Sequence, residues 1–126
     1  MKLRTVLVGW ALAIVAAGSS AQTYPSKPIR LIVPFPPAGG TDILARTVAT
    51  RLADQKKWVI VVENKPGAGG NVGAVEVARA APDGYTWLWS TDTLLTVNPH
   101  VYETMPFKPS DLQPVMRASA FPTCLT

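Results

Sequence analysis

Hydrophobic and polar positions along this chain change their period several times. Ile29-Arg30-Leu31-Ile32-Val33 is a short β-rich run, and it stops at Pro34-Phe35-Pro36-Pro37-Ala38-Gly39-Gly40, where three prolines and two glycines forbid regular structure. The pattern predicts a strand running into a loop. Thr41 or Asp42 can cap the helix that follows, in which Ile43, Leu44, Val48 and Leu52 recur at helical spacing while Arg46, Thr50 and Asp54 take the opposite face. That helix should end near Gln55. Trp58-Val59-Ile60-Val61-Val62 is then a continuous apolar run of strand length, the kind expected of a strand buried on both faces of a parallel sheet, and Asn64-Lys65-Pro66-Gly67 closes it.

The same sequence of signals follows again. Gly67-Ala68-Gly69-Gly70-Asn71 is a second glycine loop, and Val72 to Ala81 suits a short helix with a packing face of small residues. Pro82-Asp83-Gly84 is a turn, and Tyr85 to Ser90 is an aromatic-rich third strand that leads into Ser90-Thr91-Asp92-Thr93. The order β-loop-α, β-loop-α, β-loop predicts an α/β fold, a parallel sheet with flanking helices joined by right-handed crossovers.

The amino terminus stands apart from this pattern. Lys2 and Arg4 precede an apolar stretch from Thr5 to Ala17, and Gly18-Ser19-Ser20-Ala21 supplies small residues at cleavage spacing, so residues 1–21 read as a secretory signal peptide with the mature chain starting at Gln22. A membrane anchor is disfavoured because the run falls several residues short of the ~20 that span a bilayer. No Cys stands near the cleavage region and no twin-Arg pair occurs, so neither a lipid-modified nor a twin-arginine signal is indicated. Setting Lys2 and Arg4 aside lowers the net charge from +4 to +2, with no basic block, so no nucleic acid partner is expected. Cys124 is the single cysteine, which excludes an internal disulfide and leaves stability to the packed core. With His100 the one histidine, there is no metal-ligand spacing and no Ser-His-carboxylate arrangement, and no cofactor is expected.

Ligands of parallel sheets bind beyond the carboxyl ends of the strands. The first loop delivers two glycines to a helix amino terminus, where free N–H groups and the helix dipole favour an anion, and the second loop does the same. The third offers hydroxyls at Ser90, Thr91 and Thr93, with Asn98 a short way on. A small anionic ligand is the physical inference, a carboxylate being more compatible with export than a nucleotide phosphate. The alternative, that the glycines only make tight turns, stays open on these grounds. Gly67-Ala68-Gly69-Gly70-Asn71-Val72-Gly73 also approximates a dinucleotide fingerprint with Asp92 near the ribose position, but Val72 stands where the third glycine belongs and Pro66 precedes the first.

Several motifs in one order carry a family resemblance. Tyr24-Pro25-Ser26-Lys27-Pro28-Ile29-Arg30, Val33-Pro34-Phe35-Pro36-Pro37 and Gly39-Gly40-Thr41-Asp42-Ile43-Leu44-Ala45-Arg46 are followed by Val62-Glu63-Asn64-Lys65-Pro66-Gly67-Ala68-Gly69-Gly70-Asn71-Val72-Gly73. Then come Ala81-Pro82-Asp83-Gly84-Tyr85-Thr86 and Asn98-Pro99 with Tyr102. From Tyr24 onward the chain resembles the substrate-binding proteins of tripartite tricarboxylate transporters, the Bug-type periplasmic receptors. The resemblance implies a type II periplasmic-binding-protein fold, whose two lobes close over a small carboxylate and hand it to membrane transport subunits. It also implies a periplasmic location and a monomer when complete.

Carried onto this sequence, the resemblance makes Phe35, Pro37, Gly39, Gly40, Thr41 and Asp42 of the first loop and Ser90, Thr91, Asp92, Thr93 and Asn98 of the third the ligand-binding candidates. Phe35 would pack on the ligand's carbon skeleton, the glycines would present N–H donors, and Ser90 and Thr91 hydroxyls. Two positions depart from the family pattern. Ala38 stands where many members have a glycine, and Asp92 places a carboxylate where small or uncharged residues are common, which points to an amino-acid or hydroxyl-bearing ligand or to an outward side chain. Asp42 raises a milder version of the same conflict, unless it caps the helix. Against the family's length, residues 22–126 read as an incomplete first lobe, expected to be aggregation-prone alone and a weak carboxylate binder. The alternatives are a non-functional truncated gene product or a fragment of an exported or dinucleotide-binding enzyme.

Overall fold

The computed structural model describes residues 23–120, so the signal-peptide reading of residues 1–21 and Cys124 both lie outside the described residues. Three parallel strands form one sheet: β1 (Ile29–Val33), β2 (Ile60–Asn64) and β3 (Thr86–Leu88), in the order β2-β1-β3. Ile29 pairs with Ile60 and Val33 with Asn64 on one side of β1, and Arg30 with Thr86 and Ile32 with Leu88 on the other. The expected α/β class holds. Between the strands run α1 (Gly40–Lys56) and, after a 3₁₀ turn at Ala68–Gly70, α2 (Asn71–Ala78). Two short helices, α3 (Thr93–Thr96) and α4 (Asn98–Val101), follow β3.

The two longer helices lie on opposite faces. Ala45 of α1 packs on Leu31 and Val33, with Phe35, Ile60, Val62, Trp87 and Trp89 around them. On the other face α2 approaches β1 so closely that a Cβ on Gly73 would stand 2.8 Å from Pro34 Cβ and 3.2 Å from Ile32 Cγ2. Ala74 continues that face, in a cluster with Leu94 and Phe107 flanked by Leu88, so the expected small-residue packing surface is present. Ile29, Ile32 and Val33 are fully enclosed between the two layers. Each such side chain contributes about 1.5–3 kcal/mol of burial.

This arrangement corrects two expectations. The strand buried on both faces is β1, not the Trp58–Val62 run: β2 begins two residues later and is an edge, and Val59 and Val61 are 60% and 45% exposed. Its inward face meets α1, whereas α2 stands over β1 and β3 and leaves the other face of β2 open. Part of that face is bridged instead by charge, where Arg30 forks onto Glu63 through two 2.8 Å bonds and also reaches Glu76 of α2.

The second correction concerns α1. Arg46, Thr50 and Asp54 are outward as expected, but Ile43 is 56% exposed and the buried stripe is Asp42, Ala45 and Ala49. The helix turns its smallest residues to the sheet, which permits close approach. It ends one residue past Gln55, with Lys57 left-handed and its N–H bonded to Ala53 O at 3.0 Å.

At the amino ends of the strands, aromatic rings close the sheet. Tyr24 meets Trp58 and Tyr85 at centroid distances of 5.8 and 5.0 Å, and Trp58 meets Trp87 at 6.3 Å. Tyr24 hydroxyl and Trp87 Nε1 both donate to Gly84 O. The opposite pole, at the carboxyl ends, carries the loops.

Candidate functional site

Because α1 follows β1 on one face and α2 leads to β3 on the other, the chain leaves β1 and β3 in opposite directions. Between their carboxyl ends lies the switch point of the sheet, the place where open α/β sheets bind ligands. Trp89 N donates to Ile32 O at 2.9 Å, which carries the β1–β3 ladder one step further and brings Ser90 level with Pro34. The first and third loops therefore start side by side.

In the first loop Gly39 occupies the N-cap of α1 in extended conformation, φ −74° and ψ 164°, and no side chain among the described residues caps the helix. Neither Thr41 nor Asp42 plays the capping part expected of it. Asp42 is 2% exposed and turns back onto the loop, where its carboxylate accepts Ala38 N–H at 2.9 Å, Arg46 Nε at 3.0 and 3.1 Å, and Asn64 Nδ2 at 2.9 Å. Asn64 also donates to Phe35 O at 3.1 Å and accepts Arg46 Nη2 at 2.9 Å. Hydrogen bonds from Arg46, then Asn64, then the Ala38 N–H hold the Asp42 carboxyl down at about 2. Its charge is matched by Arg46 one turn on, so Asp42 presents no unpaired anion to the switch point.

The glycines of this loop are not required by its shape. A Cβ on Gly40 would meet nothing within 4 Å, and one on Gly39 only Pro36 O at 3.5 Å, an ordinary contact. The left-handed residue is Ala38, at φ 65°, a conformation that costs a non-glycine residue about 1–2 kcal/mol. Two bare backbone positions thus stand at the open amino end of a 17-residue helix with no local steric reason to be bare. Phe35 is half-buried against Leu31, Val33 and Ala45, so it is part of the core on the α1 face. Pro37 is exposed and Thr41 half-buried beside the glycines.

Beyond the end of β3, Ser90 Oγ is buried with no hydrogen-bond partner among the described residues. An orphaned hydroxyl is costly, and a ligand or water oxygen at this point would satisfy it. Thr91 and Thr93 pair their hydroxyls at 2.6 Å. Asp92 is exposed at the start of α3, where its backbone carbonyl accepts Leu95 and Thr96 N–H, and its side chain has no hydrogen bond among the described residues. Asn98 does not join this group. It is buried, and Nδ2 donates to Gly69 O at 3.0 Å and to Asn71 Oδ1 at 2.9 Å, tying α4 to the second loop.

The second loop also leads to a helix whose N-cap, Gly70, makes no side-chain cap bond among the described residues. Gly67, Gly69 and Gly70 are all at positive φ, and the space over Gly69 is taken by Tyr102 hydroxyl and Asn98. Arg46 and Asn64 are the participants that the hydrophobic pattern did not single out. Their signals were an acid–base pair at i, i+4 and a polar residue ending an apolar strand.

Residues 44–126 match the family model described as the tripartite tricarboxylate transporter family receptor. The chain belongs to this receptor family. A UPF0065 protein of Bordetella pertussis is 46% identical over 115 residues, 91% of this chain and 36% of that protein. Protein BugT of the same organism is 44% identical over 117 residues, with the same coverage. This tripartite-transporter receptor chain therefore spans about a third of the length of the curated relatives it matches. Among solved structures, one described as a periplasmic transporter superposes with a TM-score of 0.65 at 52% identity, over 68% of this chain and 29% of that one. Rpa4515 of R. palustris with adipate gives 0.66 at 38% identity, over 69% and 29%. The family is one of solute-binding receptors and not of enzymes, and it includes periplasmic members.

Proposed function

We propose that this chain supplies the first-lobe half of a carboxylate site in an exported receptor, which passes its ligand to the membrane subunits of a tripartite transporter. Residues 1–21 direct export to the periplasm, and residues 22–126 contribute the first-lobe elements. The carrying observation is the bare Gly39–Gly40 pair at the uncapped amino terminus of α1, on the switch point of the sheet. N–H groups there point at a ligand carboxylate, favoured by the helix dipole, and Ser90 Oγ and Thr91 face it from β3. Phe35 and Pro37 line the apolar side. The adipate bound in the R. palustris neighbour supports a small aliphatic carboxylate as the ligand class.

Thermal unfolding of this chain joined to the remaining length of its Bordetella relatives tests the reading, with adipate, aromatic acids and amino acids as probes. A ligand at a hundredfold its Kd should stabilise by about 2.7 kcal/mol. Absence of any shift across the panel would refute it.

A further inference from the structure

We infer that Asp42, Arg46 and Asn64 form a positioning clamp for the proposed carboxylate site, holding the first loop in the shape that leaves the α1 amino terminus open. This rests on the reading just given. The usual place for an Asp in the first turn of a helix is over the helix's own N–H groups, where it would compete with an anionic ligand. Here the carboxylate takes its backbone hydrogen bond from Ala38, ahead of the helix, at 2.9 Å. That bond pins the one left-handed residue of the loop. Asn64, at the end of β2, fixes a second point by donating to Phe35 O. Arg46 closes the triangle with Nε on Asp42 and Nη2 on Asn64 Oδ1. The loop between the anchors, Pro36 and Pro37, has φ set by its rings.

Three consequences converge on the ligand. The N–H groups at the start of α1 stay unclaimed by the nearest carboxylate. The negative charge of Asp42 is neutralised by Arg46, so it does not repel an incoming anion. A strained left-handed alanine is kept in place, which sets the direction of the following glycines. Asp42, Arg46 and Asn64 accordingly act through the loop and do not touch the ligand.

The test separates the clamp from the binding site. In the ligand-free chain, hydrogen exchange of the Ala38 amide should be slow, and Asn64→Asp, which keeps the shape but loses both donated bonds, should accelerate it at least tenfold. Arg46→Ala serves as a second, half-exposed variant should Asn64→Asp fail to fold. Adipate affinity, read by calorimetry on the chain joined to the remaining length of its relatives, should fall at least tenfold in either variant while the unfolding temperature stays within a few degrees. An Ala38 amide that already exchanges freely in the unmodified chain, or unchanged adipate affinity in both folded variants, would overturn the clamp. If the unmodified protein binds none of the probe carboxylates, the functional reading fails, and the exchange arm still decides whether the clamp exists.

Discussion

The two glycine loops of this chain look alike in sequence and differ in what their glycines are needed for. In the loop after β2, glycines are demanded by the backbone and by packing: three of them have positive φ, and Gly73, just beyond, lies against Pro34 and Ile32. In the loop after β1, Gly39 and Gly40 have conformations open to any residue, and a Cβ would make an ordinary contact at Gly39 and none at Gly40. The residue that does sit in the left-handed region there is an alanine. Glycine that the fold requires says nothing of a ligand. Glycine that the fold does not require is what the proposed carboxylate site rests on.

Substitutions can break this contrast. Gly73→Val should be the most damaging, costing about 3 kcal/mol in urea unfolding, because its Cβ would stand 2.8 Å from Pro34 Cβ and 3.1 Å from Pro34 Cα. A mild effect would mean that α2 does not press on β1. Asn98→Ala should cost about 2 kcal/mol by leaving Gly69 O and Asn71 without their donor, yet shift carboxylate affinity little. A large affinity loss in folded Asn98→Ala protein would return this residue to the ligand site.

Acid should act on the first loop selectively. The Asp42 carboxyl is held at about 2 against an ordinary 3.8, so its stabilising contribution is fully present above the higher value and disappears as pH falls through the lower one. Hydrogen exchange of the Ala38 amide, corrected for its intrinsic pH dependence, should lose protection over that window while the β1 core does not.

The smallest effects should fall on the glycines that the fold does not need. Gly40→Ala is expected to be neutral or to stabilise by about 0.5–1 kcal/mol, with weaker carboxylate binding. Ala38→Gly should stabilise by about 0.5 kcal/mol through relief of its left-handed strain. If Gly40→Ala destabilised the protein instead, the distinction between the two loops would collapse.

Much of this was legible from residue order. The Ile29–Val33 strand, the helix from the Gly39-Gly40 loop to the region of Gln55, and the small-residue face of α2 all follow from local periodicity and punctuation, which act over a few residues. Other features were not. The run Trp58–Val62 is apolar at every position, so its pattern carries no information about which face is covered, and only the placement of α1 and α2 decides that. Ile43 looks more suitable for a core than Ala45, but helix–sheet distance favours the smaller residue.

Asn98 and Ser90 make the same point at the site. Both are polar residues downstream of the third strand, and spacing alone assigns them alike. Folding places Asn98 in a weld between α4 and the second loop and leaves Ser90 Oγ buried without a partner among the described residues. Local sequence thus determined the three strands to within a few residues, the two longer helices, their parallel order and the family. The tertiary structure decided which glycines are free, what fixes the Asp42 carboxylate in place and which hydroxyl lacks a partner among the described residues. The Asp42–Arg46 pair is local, but the Asn64 bond to Asp42 and the packing over Gly69 and Gly73 bring together atoms distant in the chain, and no local pattern encodes them.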